Sequence, residues 1–362
     1  MHMAVRSLFA PRPGLVCRKV QDLAEFVQGR ERLAKGQYQL AELELKRALQ
    51  ILDNSRQTEE SSFALLMTDI ARALAGQGKT VQAGQTLEKV VERLGKGDLE
   101  WPALSNLLAF YLSAAPEKAS QLTKTLLSNP SLREEHKHEA RLIAGSALLL
   151  QGDPSEAISL LQPAFPLYLQ PFARHNLGCA QWWSVSPPHS PAKSTAELLF
   201  PAVSSLHSAI TAFENTPNLS DPLPLLSPYT CLSLTTLGSV HLACGEDAQA
   251  SKWLKVALKC YQKHAPGQTS RPLILLAGLL RREKAFLHAE GMLQYAIDQL
   301  AQSAPCPDQV AALKEYALTL QSNPKREREW QSHLTQAALI ETKLAPWAVY
   351  AGFLHLPTLQ SL

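Results

Sequence analysis

The chain has 362 residues, 46% of them hydrophobic and only 19% charged, so it has ample apolar surface for a continuous core and no composition of global disorder. Its 35 basic and 32 acidic residues leave a formal charge of +3, too balanced for nucleic acid to be the main partner. No apolar run reaches the roughly 18 residues of a membrane span, and the chain is read as soluble.

The chain opens on MHMAVRSLFAPRPGLVCRKV, which carries Arg6, Arg12, Arg18 and Lys19 and no acid before Asp22. An acid-free, Arg-bearing start suits a mitochondrial presequence, and a basic tail is the other reading of residues 1–22. The localisation expected is intracellular, either cytoplasmic or mitochondrial. The six cysteines, Cys17, Cys179, Cys231, Cys244, Cys260 and Cys306, contain no C-x-x-C pair and are expected to be buried free thiols in a reducing compartment.

From Leu23 onward apolar residues recur at helical spacing, interrupted by short breaks. The first pair of helices carries Gly29, Gly36, Ala41, Leu45 and Ala48. The second, about 61–94, keeps Ile70-Ala71, Gly78, Ala83 and Val90. The third, Trp101 to Pro130, has Leu108-Ala109 and Ala119 and must shorten its turn around Ala115-Pro116. The fourth, Glu139 to Leu169, carries Gly145, Gly152, Ala157, Leu161 and Ala164, and Asp153-Pro154 with Glu156 reads as the start of its second helix. The fifth has Leu177-Gly178, then Ala202, Leu206 and Ala209. Gly178 and Ala202 stand 24 positions apart, where the equivalent Gly238 and Ala250 stand 12 apart. The excess falls on Pro187, Pro188 and Pro191, which predicts a projecting loop over 184–197. A second Pro-rich connector covers 215–228. The sixth pair shows the pattern most fully, with Leu237-Gly238, Gly245, Ala250, Leu254 and Ala257, and the seventh has Leu276-Ala277, Ala289, Leu293 and Ala296.

Small residues at these slots let two helix backbones approach, and the leucine beside them fills the groove between. The pattern resembles the tetratricopeptide repeat, a helix-turn-helix unit of 34 residues. The resemblance implies an all-α, right-handed superhelical solenoid of about seven repeats over residues 23–345. The two helices of Asp308 to Lys343 serve as its terminal cap, and an apolar tail, 346–362, either folds back on that cap or forms an exposed anchor.

No catalytic constellation can be assembled: the chain lacks a phosphate-cradling Gly-rich loop, a G-x-S-x-G elbow and an H-E-x-x-H pair. His136 and His138 point to different sides of a helix, and Cys179 beside His175 has the spacing of a thiol and base without a third orienting group. No cofactor or metal is expected, and the chain is read as a non-enzyme. The resemblance implies that first helices line a groove for protein or peptide partners. Its groove slots fall on Leu23, Phe26, Arg30 and Leu33, on Leu65, Thr68, Arg72 and Ala75, on Phe172, His175, Cys179 and Trp182, and on Arg271, Ile274, Gly278 and Arg281. Of these, Phe26, Arg30, Arg72, Phe172, His175, Trp182, Arg271 and Arg281 are the residue types that anchor interfaces. The function expected is a protein-interaction scaffold, as an adaptor, assembly factor or complex subunit. The alternative is a transient peptide receptor or co-chaperone, although Asn106, Arg141, Arg174 and Asn176 do not make the expected carboxylate clamp.

Overall fold

The computed structural model describes Val20 and residues 23–54, 60–94, 100–186, 196–215, 226–301 and 304–356. The proposed presequence, most of both Pro-rich connectors and the end of the tail lie outside the described residues. Every regular element described is a helix, and no strand occurs among the described residues. None of these helices is long and apolar enough to cross a membrane.

The chain divides into two compact units, one ending at Ala147 and the other running from Leu148 to His355. In the first unit α1 (Ala24–Ala34) pairs with α2 (Tyr38–Asn54), α3 (Glu60–Gly76) with α4 (Thr80–Leu94), and α5 (Glu100–Ala114) with α6 (Pro116–Leu127). The single residue Ala115 separates α5 from α6, which is the shortened turn the spacing required. The next helix, α7 (Glu134–Leu150), contains the division between units.

The second unit continues with α8 (Pro154–Leu161), followed by α9 (Gln170–Val185) paired with α10 (Ala196–Asn215), α11 (Leu226–Cys244) with α12 (Asp247–His264), and α13 (Ser270–Arg282) with α14 (Phe286–Leu300). Two further helices follow, α15 (Pro307–Leu320) and α16 (Glu327–Glu341), separated by a 3₁₀ turn at Pro324–Arg326, and the tail carries one short helix, α17 (Ala348–Ala351). Both proline-rich connectors are narrower than the sequence suggests. Ser184 and Val185 still belong to α9 and Ala196 already to α10, while Asn215 ends α10 and Leu226 opens α11.

The glycine slots explain why these pairs are tight. A β-carbon added at Gly29 would lie 2.7 Å from Leu45 Cγ, one at Gly238 would lie 2.7 Å from Leu254 Cγ, and one at Gly178 would lie 2.8 Å from Leu206 Cγ. All three leucines are fully buried, as are Ala41, Ala48, Ala202, Ala209, Ala250 and Ala257 around them. Each leucine therefore occupies a notch left by the missing side chain on the facing helix, and its full burial contributes roughly 1.5–3 kcal/mol.

The turns share a second device. Gly36, Gly78, Gly152 and Gly245 have φ between 71° and 80°, the left-handed region that glycine enters without steric cost. In each the following residue donates its N–H five positions back: Gln37 to Arg32, Lys79 to Leu74, Asp153 to Leu148 and Glu246 to His241, at 2.9–3.0 Å. The α13–α14 turn closes identically, Ala285 to Leu280 at 2.8 Å, but places Lys284 in the left-handed position at φ 63°.

Two expectations are corrected here. Ala164 is not a small contact residue of the fourth pair: α8 ends at Leu161, and Ala164 is exposed, because Pro163 and Pro166 cannot continue the helix. The cysteines are not all free thiols. Cys231 on α11 and Cys260 on α12 form a disulfide with their Cα atoms 5.6 Å apart, while Cys179, Cys244 and Cys306 are free.

Two measurements check this account. Gly238→Val should lower the free energy of urea unfolding by about 1–3 kcal/mol through overpacking against Leu254, whereas Gly267→Ala, where an added β-carbon meets nothing within 4 Å, should leave it nearly unchanged. Closing a loop with a sequence separation of 29 restricts the unfolded chain, so reduction should destabilise the protein by roughly 3 kcal/mol, and Cys260→Ser should abolish that sensitivity to reductant.

Candidate functional site

The sequence-derived groove residues fall into both units. In the first unit Phe26 is buried and the Arg30 guanidinium lies 5.5 Å from its ring centre. Arg30 Nε sits 3.3 Å from one carboxylate oxygen of Asp69, and Arg72 Nη1 donates to the other at 2.9 Å. Asp69 is completely buried on α3, and its desolvation pushes the carboxyl above its ordinary range against the pull of Arg72 and Arg30. Sequence reading missed Asp69, whose signal was an acid one turn before Arg72 in the apolar middle of α3. Both arginines are thus partly neutralised by the same carboxylate.

In the second unit Phe172, His175, Cys179 and Trp182 share one face of α9, as spacings of three and four require. That face is buried: His175 and Cys179 are fully inaccessible, and Phe172 and Trp182 are each 5% exposed. The cover is the chain's own tail. Of the two readings of the tail, fold-back on the last helices or an exposed anchor, neither describes residues 350–355, which lie against α9, α11 and α13.

Aromatic side chains make the first set of contacts. Phe353 packs edge-on against Trp182 at 5.4 Å between ring centres, and Tyr350 does so against Trp183 at 5.0 Å. His355 lies among Phe172, Phe213 and Tyr229, at 5.6, 5.3 and 4.9 Å. Leu354 is buried as well.

Polar groups hold the tail backbone. Asn176, fully buried on α9, uses both ends of its carboxamide on one residue: its Oδ1 accepts from the His355 N–H at 3.0 Å and its Nδ2 donates to the His355 carbonyl at 3.2 Å. A carbonyl can only accept, so His175 must carry its proton on Nε2 to reach the Phe353 carbonyl at 2.7 Å. The neutral ring then accepts at Nδ1 from the Ser233 hydroxyl, 2.8 Å away on α11. Cys179 Sγ also points at the Phe353 carbonyl, at 3.5 Å. Burial pushes the Cys179 thiol up, away from the thiolate that nucleophilic chemistry needs.

Arg271 at the start of α13 completes the site. Its guanidinium donates to Asp308 at 2.5 and 2.8 Å, lies 4.5 Å from the Phe353 ring centre, and donates to the Gly352 carbonyl. Arg281, one helix face along, is held by Glu315 at 2.5 Å and does not touch the tail. The structure brings the groove-slot residues Phe172, His175, Trp182 and Arg271 together beneath the tail, beside Trp183, Phe213, Tyr229 and Ser233, which sequence reading did not select, and Asn176, which it discounted. A wholly buried asparagine in an apolar helix needs a partner, and that requirement was the available signal.

Elsewhere, His136 stacks on Trp101 with ring centres 4.4 Å apart, as a packed side chain does. Among the described residues no three His, Cys, Asp or Glu side chains converge as metal ligands would.

The histidines give the site a pH signature. Burial lowers His175 to about 4 and moves His355 down as well. The folded state therefore refuses a proton that the unfolded state accepts below its ordinary value near 6.5, so stability rises with pH across that window and falls on acidification. Lowering the pH from 7 to 5 should cost on the order of 2 kcal/mol through His175 alone. Urea titrations at both pH values should show a smaller difference in His175→Gln than in the parent chain.

Comparison with known proteins bears on the fold. No family model matches the chain, and no curated protein matches it. The crystal structure of a Rap protein complexed with competence and sporulation factor superposes with a TM-score of 0.55 at 12% identity, covering 92% of this chain and 88% of that one. RapI in its apo form aligns at 12% identity with a TM-score of 0.41, and yeast Tom70 at 14% with 0.34, over 93% and 91% of this chain and 100% and 78% of theirs. At these identities the likeness is one of architecture: the chain has the fold of tetratricopeptide-type helical repeat proteins.

Proposed function

We propose that the chain is a non-enzymatic protein-interaction module whose working surface is the trough of α9, α11 and α13. The observation that carries this reading is the Asn176 carboxamide, which grips the N–H and the carbonyl of one backbone residue at 3.0 and 3.2 Å inside an aromatic-lined site. Main-chain recognition by a buried amide, with flanking aromatic side chains, suits capture of a short polypeptide segment. It favours the peptide-receptor reading over a scaffold acting through broad apolar surface.

The charges narrow the ligand class. Arg30 and Arg72 share Asp69, Arg271 is paired with Asp308, and Arg281 with Glu315. Arginines already neutralised in this way have little left for an acidic tail, so a neutral, aromatic-bearing segment is the better match. The Rap protein of similar fold is described as complexed with competence and sporulation factor, which supports ligand capture by this architecture without assigning a ligand here.

A displayed library of short random peptides, selected on the full chain and in parallel on Asn176→Ala, tests the reading. Peptides enriched on the parent should bind the variant at least about tenfold more weakly, the cost of losing roughly 1.4 kcal/mol of buried hydrogen bonding. Equal enrichment on both proteins would contradict it.

A further inference from the structure

We infer that residues 350–355 are a built-in ligand of the α9–α11–α13 trough, which a partner segment of the same pattern must displace. The inference rests on the proposed function and adds the identity of the competitor and the pattern of the partner. The tail makes the contacts of a bound peptide. Its backbone is held at three of four consecutive residues, by Arg271 on the Gly352 carbonyl, His175 on the Phe353 carbonyl and Asn176 on both groups of His355. Its side chains Phe353 and His355 fill aromatic sites built by Trp182, Phe172, Phe213 and Tyr229.

The tail follows α16 through the exposed residues Thr342 and Lys343, with Leu344 packed against Val310, Leu313 and Ala337, and it is not part of any paired helix of the repeats. Ordinary core segments bury apolar side chains against apolar side chains. Here the trough instead presents buried polar groups, Asn176 and His175, that reach the tail backbone, so an empty trough would lose the hydrogen bonds to Phe353 and His355.

The contacts specify the partner. A β-carbon at position 352 would meet the tip of the Arg271 side chain, which is paired with Asp308 on one side and lies over the Phe353 ring on the other. A small residue before the aromatic leaves that pairing undisturbed. The pattern is a small residue, an aromatic residue, an apolar residue and a second ring, and Tyr350–His355 contains no Asp, Glu, Lys or Arg, in keeping with the neutralised arginines.

The test uses a fluorescent peptide of residues 346–356 as the probe, read by anisotropy. A short covalent tether gives the chain's own tail an effective concentration of order millimolar or above, so the parent chain should bind the probe about a hundredfold or more weakly than the full chain carrying Phe353→Ala and His355→Ala. Adding Asn176→Ala to that variant should abolish binding. Failure of the tail-substituted protein to bind the probe while its thermal melt is unchanged overturns the inference, as does equal binding by the parent. Should the substitutions impair folding, a protease site inserted after Lys343 allows the parent to fold intact and then be cut. The released fragment should exchange for probe, and a fragment that stays bound against excess probe would mark a permanent structural strap and end the proposal. Library peptides that bind the trough without being competed by the probe would leave the proposed function standing and overturn this inference alone.

Discussion

A leucine seated where the facing helix has no side chain is the contact on which each well-formed hairpin depends. Leu45 against Gly29, Leu206 against Gly178 and Leu254 against Gly238 are the same arrangement repeated, with a β-carbon's worth of space separating a tight crossing from an impossible one. The notch sets how close the two backbones run, and the left-handed turn glycines set where the second helix begins. With both fixed, the residues three before and one and four after the glycine are fixed on the adjacent face of the first helix, about 40–100° round from the glycine. In α9 those are His175, Cys179 and Trp182. The crossing therefore sets where that face points.

The chemistry of that face differs from that of the hairpin core. The core slots are alanine, glycine and leucine and ask nothing of a neighbour except shape. The α9 face presents an imidazole, a carboxamide and a thiol, all without access to water. Losing a hydrogen bond to such a buried group costs about 1–3 kcal/mol, so a segment with backbone donors and acceptors stabilises the face. The tail supplies them, and the tilted and edge-on aromatic contacts around Phe353 and His355 add directional packing to the hydrogen bonds. This division of labour, shape in the hairpins and polarity in the trough, separates what holds the fold from what selects a ligand.

Much of the fold was legible because a small residue at a helix crossing leaves a mark in sequence at fixed spacing. Gly29, Gly238 and Ala257 were identifiable from period alone, as were the turns at Gly36, Gly78, Gly152 and Gly245. The turn at Lys284 was not, because its left-handed φ is imposed on a residue that does not advertise it. Ala164 failed for the opposite reason: it matched the period, but Pro163 and Pro166 ended the helix first. Of the site, the register of Phe172, His175 and Trp182 followed from helical geometry. What lay on them did not, since Asn176 and His355 are separated by 179 positions and nothing local to either announces the other. The disulfide between Cys231 and Cys260 escaped for a related reason: its cysteines lie on different helices, and their 29-residue separation resembles no short motif.

The central claim is that the α9 trough holds the backbone of residues 352–355 through buried hydrogen bonds, and amide exchange of His355 reports on it most directly. The His355 N–H donates to Asn176 Oδ1 within a residue that is 1% exposed. In the full-length protein that amide should exchange at least about a hundredfold more slowly than in a free peptide of the same residues, and Asn176→Ala should remove most of the protection. Exchange of His355 at the free-peptide rate in the intact, folded chain would contradict the account.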